Sequence, residues 1–129
     1  RGDPAIASAA AACALDMLAS VDALNAQLTA EGQQPIQIGI GLHFGPVMFG
    51  DIGSARMATF TVVGDTVNVA SRLQGLTRTF DAPVAMSAAF VARLRGEGTA
   101  ATWEARIRSL GTHSLRGRLG EIDVFTIEL

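Results

Sequence analysis

The spacing of apolar residues changes rhythm along the chain, and each change predicts an element. Ile6, Ala10, Cys13, Met17, Leu24 and Leu28 recur at helical spacing, so a long helix is expected with these residues on its packed face. Asp3 and Pro4 suit its start, a capping side chain followed by a ring with no N–H to leave unpaired, and Gly32 suits its stop. The period then shortens. Ile36, Ile38, Ile40 and Leu42 alternate with Gln37, Gly39, Gly41 and His43, which predicts a strand with one apolar face and one face almost without side chains. Glycine weakens a strand, so the bare face implies close approach, either by a ligand or partner or by a tightly crossing helix.

Phe44 to Gly53 and Ala58 to Val63 read as the arms of a hairpin with its tip near Ser54 to Met57. Gly64 ends the second arm, and Asp65 or Thr66 can cap a helix running to Phe80. On it Val69, Leu73, Leu76 and Phe80 form an apolar stripe. Ala82 to Met86 is a short strand, and Ser87 caps a helix carrying Phe90, Val91 and Leu94. After a loop from Gly96 to Thr99, Trp103 to Leu110 and Asp123 to Leu129 read as strands around a turn from His113 to Glu121. The expected fold class is α/β, an antiparallel-rich sheet with helices packed on one face.

Composition narrows the function classes. With 129 residues the chain is one domain or part of one. A net charge of −2 leaves no electrostatic footprint for nucleic acid. No apolar run reaches the roughly 20 residues of a membrane span, so no membrane contact by this segment and a cytoplasmic setting are expected. Cys13 is the single cysteine, which rules out an intrachain disulfide and reads as a packing residue. All ten basic residues are Arg, a bias that fits a GC-rich bacterial genome. The chain starts at Arg1 without an initiator Met, so it is expected to be a piece of something longer, whose remainder could hold a membrane anchor.

Candidate chemistry gathers on the central helix. Asn68 and Arg72 are four residues apart beside the apolar stripe, so an amide and a guanidinium project one turn from each other. Such a pair suits phosphate and sugar hydroxyls, and it also occurs as ordinary helix surface. In the later turn, Arg116 and Arg118 lie among glycines, which makes either an oxyanion-binding loop or a solvated basic turn. His43 and His113 are too far apart in sequence to suggest a metal site, and Asp51 and Asp65 are accounted for by a turn and a cap.

The wording of the segment decides between these readings. GDTVNVASRL, from Gly64 to Leu73, resembles the corresponding segment of class III adenylate and guanylate cyclase catalytic domains. Upstream, Ile38 to Gly64 resembles the family's glycine-rich hairpin, and downstream Leu110 to Ile127 resembles its closing strands, in the same order. The resemblance implies a ferredoxin-like cyclase fold and residues 1–129 as a partial catalytic domain, truncated at its N-terminus. It also implies that ATP becomes cyclic AMP and pyrophosphate in a site shared by two domains.

By the same resemblance, Asn68 orients the ribose and Arg72 meets the α-phosphate. Thr61, seven residues before Asn68, stands at the base-reading position, where Thr or Ser goes with adenine and Glu or Cys with guanine. Arg116, with Arg118 next, takes the place of a basic residue that meets the triphosphate, often Lys in the family. The family's two metal-binding Asp residues and its purine-selecting Lys precede the first helix of this chain, and no Lys is present here. The two Mg²⁺ or Mn²⁺ ions would therefore be held by a segment outside this sequence, and the chain alone is expected to be inactive. A head-to-tail homodimer is the implied assembly, the second cyclase domain supplying the metal ligands. Guanylate cyclase is one alternative. A non-catalytic cyclase-like domain that binds nucleotide or a partner is the other.

Overall fold

The structure is a computed structural model that describes residues 5–46, 48–52, 59–63, 65–97, 100–114 and 121–128. In chain order the elements are α1 (Ile6–Ala30), β1 (Ile40–Leu42), β2 (Met48–Ile52), β3 (Thr59–Val63), α2 (Asp65–Phe80), β4 (Val84–Ser87), α3 (Ala88–Gly96), α4 (Ala100–Glu104), β5 (Ile107–Ser114) and β6 (Glu121–Ile127). Strands β1, β4, β6 and β5 form a sheet in that order, and β2 pairs with β3 in a separate hairpin. Only the β1–β4 pairing is parallel, so the described sheets are antiparallel-rich as expected.

Alternation along the strands sends side chains to both sides of the sheet, and helices cover both. Val84 and Met86 of β4 join Ala7, Ala11 and Leu18 of α1 and Phe90, Val91 and Leu94 of α3 in one core cluster. Ala85, the residue between them, joins Val124 and the α2 residues Val69 and Leu73 in the other. The expectation of helices on one face is corrected on this point, because a strand with period two and apolar residues at consecutive positions must bury both faces. β4 is such a strand, with Val84, Ala85 and Met86 all 0% exposed.

α1 packs through a different stripe from the one its spacing suggested. Ala7, Ala11, Ala14 and Leu18 are buried, whereas Ile6, Met17 and Leu24 are 42–47% exposed and Cys13 is exposed as well. The helix is apolar on nearly every side, so periodicity did not define its inner face, and small alanines allow the closer approach. Cys13 is therefore not a core residue. By length and composition α1 is also apolar enough to cross a bilayer, contrary to the sequence-based expectation, although its alanine stripe is packed into the core described above.

The proposed start at Asp3 and Pro4 lies outside the described residues. The N-cap is Ala5, which offers no side-chain hydrogen bond. The cap comes instead from Glu97, whose carboxylate accepts from the backbone N–H of Ala7 at 2.9 Å and of Ser8 at 2.8 Å. Arg93 donates to the same carboxylate at 2.9 Å, and the Glu97 side chain is 5% exposed. Burial alone would raise the Glu97 pKa, but the Ser8 and Ala7 donors and the Arg93 guanidinium outweigh it and hold the carboxyl below its ordinary range. Trp103 adds a further tie from its indole N–H to Ser8 Oγ at 3.0 Å. At the other end the helix stops as expected: Gly32 has φ 77°, with Gly32 N–H donating to Thr29 and Gln33 N–H to Leu28, a Schellman closure.

Three further boundaries are settled by packing. Trp103 belongs to α4, with its ring 5% exposed in the core, so the strand expected from Trp103 begins only at Ile107. Ser87 caps α3 as expected, its Oγ accepting from Phe90 N–H at 3.1 Å. β2 begins at Met48, which leaves Phe44 to Pro46 as the link out of β1, and the hairpin tip lies outside the described residues.

Candidate active site

Three glycines seat α2. A Cβ on Gly41 would stand 2.4 Å from the Ala70 carbonyl oxygen and 2.6 Å from the Gln74 nitrogen. One on Gly39 would stand 1.9 Å from Thr77 Oγ1, and one on Gly45 2.8 Å from Thr66 Oγ1. These distances leave no room for any side chain at Gly39 or Gly41. The bare face of β1 is thus occupied by a crossing helix, one of the two alternatives the sequence left open. The helix residues that meet the glycines are Thr66, Ala70, Gln74 and Thr77, one continuous face.

At the head of α2 the Thr66 hydroxyl donates to the Pro46 carbonyl. Asp65 forms the first residue of the helix. At the other end Thr77 Oγ1 donates to the Gln74 carbonyl at 2.6 Å, which satisfies a hydroxyl that is otherwise buried. The buried side of α2 consists of Val69, Leu73 and Thr77, with Leu76 and Phe80 packed at its margin. The expected apolar stripe is therefore the one that meets the sheet.

With that side fixed, Asn68 and Arg72 are carried on the outer side of α2, both exposed. Among the described residues neither side chain has a hydrogen-bond or ion-pair partner. An exposed guanidinium one turn from an exposed amide keeps its fork and its donors available to an anionic, hydroxylated ligand. Thr61 lies in β3, paired with Gly50 across the hairpin, in the strand that leads into α2. Arg116 and Arg118 fall outside the described residues, in the connection between Ser114 and Glu121, which are themselves paired in register. The structure thus places Asn68 and Arg72 on one helix face.

His43, at the end of β1, behaves as a satisfied polar residue, with Nδ1 2.7 Å from Ser87 Oγ. His113 packs edge-on against Phe80, ring centroids 4.4 Å apart, and its Nε2 lies 3.1 Å from the Leu110 carbonyl oxygen. Among the described residues no group of three or more His, Cys, Asp or Glu side chains could hold a metal ion. Asn68, Arg72 and Thr61 supply no carboxylate either, so the residues described here do not fit a two-cation site.

An open groove of about 870 Å³ lies between α1 and α2 beside the segment that leads into β1, lined by Leu18, Asp22, Ile36, Gly39, Gln74 and Arg78 among others. Neither Asn68 nor Arg72 lines it. Sequence spacing did not reveal the Thr66–Pro46 and Glu97–α1 contacts, because each joins residues remote in the chain.

Comparison with known proteins agrees with this architecture. Residues 2–128 match the family model described as the adenylate and guanylate cyclase catalytic domain. Adenylate cyclase 1 of Rhizobium meliloti (strain 1021) is 31% identical over 115 residues, which is 89% of this chain and 16% of the relative. The chain therefore spans a minor part of that relative's length. The crystal structure of the guanylyl cyclase Cya2 superposes with a TM-score of 0.72 at 26% identity, covering 94% of this chain and 57% of that one. The adenylyl cyclase CyaB from P. aeruginosa gives a TM-score of 0.78 at 21% identity over 94% of this chain and 58% of that one, a likeness of fold. The family match over nearly the full chain, together with the helix that carries Asn68 and Arg72, shows that this chain belongs to the adenylate and guanylate cyclase catalytic domain family.

Proposed function

We propose that the chain is the transition-state-stabilising half of an adenylate cyclase site, completed by a second cyclase domain. The observation that carries this reading is the exposed Asn68 and Arg72 pair on a helix whose opposite side is packed against the sheet. The reaction joins the 3′-oxygen of ATP, which gives up its proton to solvent, to its own α-phosphorus and breaks the bond from that phosphorus to the oxygen bridging to the β-phosphate. Cyclic AMP remains and pyrophosphate leaves. Asn68 holds the ribose through its amide, which keeps the 3′-hydroxyl aimed at phosphorus. Arg72 donates to the α-phosphate oxygens, where charge is redistributed as the bonds exchange.

Thr61 reads the adenine edge in this proposal, and Arg116, assisted by Arg118, binds the triphosphate. The family-level expectation of Mg²⁺ or Mn²⁺ assigns those ions to ligands contributed by the other half of the site, and the assembly is a homodimer. Cytoplasmic synthesis of cyclic AMP for signalling is the corresponding role.

The test is kinetic. Arg72→Ala in the full-length protein is expected to lower kcat by about 10² or more with KM for ATP changed little, because the lost interaction strengthens in the transition state. Asn68→Ala is expected to act in the same direction. Wild-type rates in both variants, with folding intact, would remove these residues from the site.

A further inference from the structure

We propose that Thr66 is a positioning residue of this site, the hydrogen-bonded stop that fixes where along β1 the helix carrying Asn68 and Arg72 comes to rest. The proposal rests on the cyclase reading of those two residues. The glycines at 39 and 41 permit α2 to lie against the strand, but a bare backbone surface offers little to stop a helix from sliding. The apolar contacts of Val69 and Leu73 fix which side faces inward and are non-directional. A directed contact is needed to set the axial position.

Thr66 supplies it. Its hydroxyl donates to the Pro46 carbonyl, in the link that leaves β1, and the same oxygen would lie 2.8 Å from a Cβ on Gly45. The side chain thus sits against the Gly45–Pro46 link, hydrogen-bonded to the Pro46 carbonyl and close enough to Gly45 that a Cβ there would crowd it. Thr66 precedes Asn68 by two residues and Arg72 by six, so any shift of this first turn is passed to both through a rigid helix. The link that accepts the hydrogen bond is itself anchored: His43 Nδ1 meets Ser87 Oγ, and the Arg93 guanidinium sits 5.2 Å from the centre of the Phe44 ring. Thr66 therefore refers the position of the two functional residues to the sheet and to α3, without touching the nucleotide.

Replacing the hydroxyl by a methyl keeps the shape and removes the directed contact. In the full-length protein with ATP and Mn²⁺, Thr66→Val is expected to lower kcat about tenfold with KM within about twofold, since an ångström of misplacement is costly in the transition state. Thr66→Ser retains the donor and is expected to stay within about twofold of wild type. Amide hydrogen exchange in the first turn of α2 should accelerate in Thr66→Val while the turn around Leu73 to Thr77 stays protected. If Thr66→Val does not fold, Gly45→Ala, which crowds the same oxygen, takes its place with the same expectations.

A normal kcat in Thr66→Val, or equal losses in the Val and Ser variants, would overturn the proposal. Arg72→Ala is assayed in parallel to separate the two claims. If Arg72→Ala is impaired and Thr66→Val is not, only the positioning role fails. If Arg72→Ala is normal, the cyclase reading fails, and unchanged exchange in Thr66→Val would then overturn the pinning as well.

Discussion

Glu97 caps α1 from a distance: it takes up two orphan N–H groups of the first turn from the far end of α3. A carboxylate there is favoured by the helix dipole and by Arg93, so Glu97→Gln is expected to destabilise the fold by about 1–3 kcal/mol near pH 7. The pH dependence has a definite sign. Because the folded carboxyl lies below its ordinary range, its contribution is complete above the unfolded value of about 4.3 and is lost as pH falls through the folded value. Thermal unfolding of wild type and Glu97→Gln between pH 7 and pH 2 checks this, and the gap between their Tm values should close at the acid end. Thr126 presents the opposite case. Its hydroxyl is buried with no hydrogen-bond partner among the described residues, and Thr126→Val is expected to raise stability by about 1 kcal/mol, read as a higher denaturant midpoint with unchanged slope. Neither residue could be singled out from spacing, since Glu97 acts on residues at a separation of 90 and Thr126 sits in an ordinary strand pattern.

At the scale of elements, α2 was the most legible part of the chain and α1 the least, for opposite physical reasons. The apolar residues of α2 recur against polar ones, so Val69 and Leu73 named the buried side and left Asn68 and Arg72 outside. α1 has apolar residues all round, and the side that packs was chosen by the small volume of Ala7, Ala11 and Ala14 rather than by hydrophobicity. The glycine alternation of β1 marked a close approach without revealing what approached. Trp103 misled through its β propensity, since its burial against α1 places it on a short helix instead. The α2 seat makes a sharp prediction: Gly41→Ala must displace backbone, so it is expected to cost about 1–3 kcal/mol and to lower kcat together with stability. A variant as stable and active as wild type would show that α2 is not held against Gly41.

For the whole molecule, the proposed division of labour predicts that the 129-residue chain alone makes no cyclic nucleotide with Mg²⁺ or Mn²⁺. Mixed with a full-length Arg72→Ala protein, it should restore activity, because one partner brings Asn68 and Arg72 and the other brings the remaining ligands. Product formation by the chain alone would refute that division. Base choice is tested at the same scale. Thr61→Glu should lower the ratio of kcat/KM for ATP over GTP, and an unchanged ratio would remove Thr61 from base recognition. The collinear family resemblance made the fold legible as a whole, and residues 2–128 match the family model, whereas Arg116 and Arg118 lie outside the described residues.

Cys13 gives these assemblies an internal ruler. It is the chain's single thiol and stands exposed on α1, on the opposite side of the sheet from α2. A spin label attached there introduces one reporter per chain, away from Asn68 and Arg72. A symmetric pair of chains would then give one interspin distance, and a mixture of arrangements would give several.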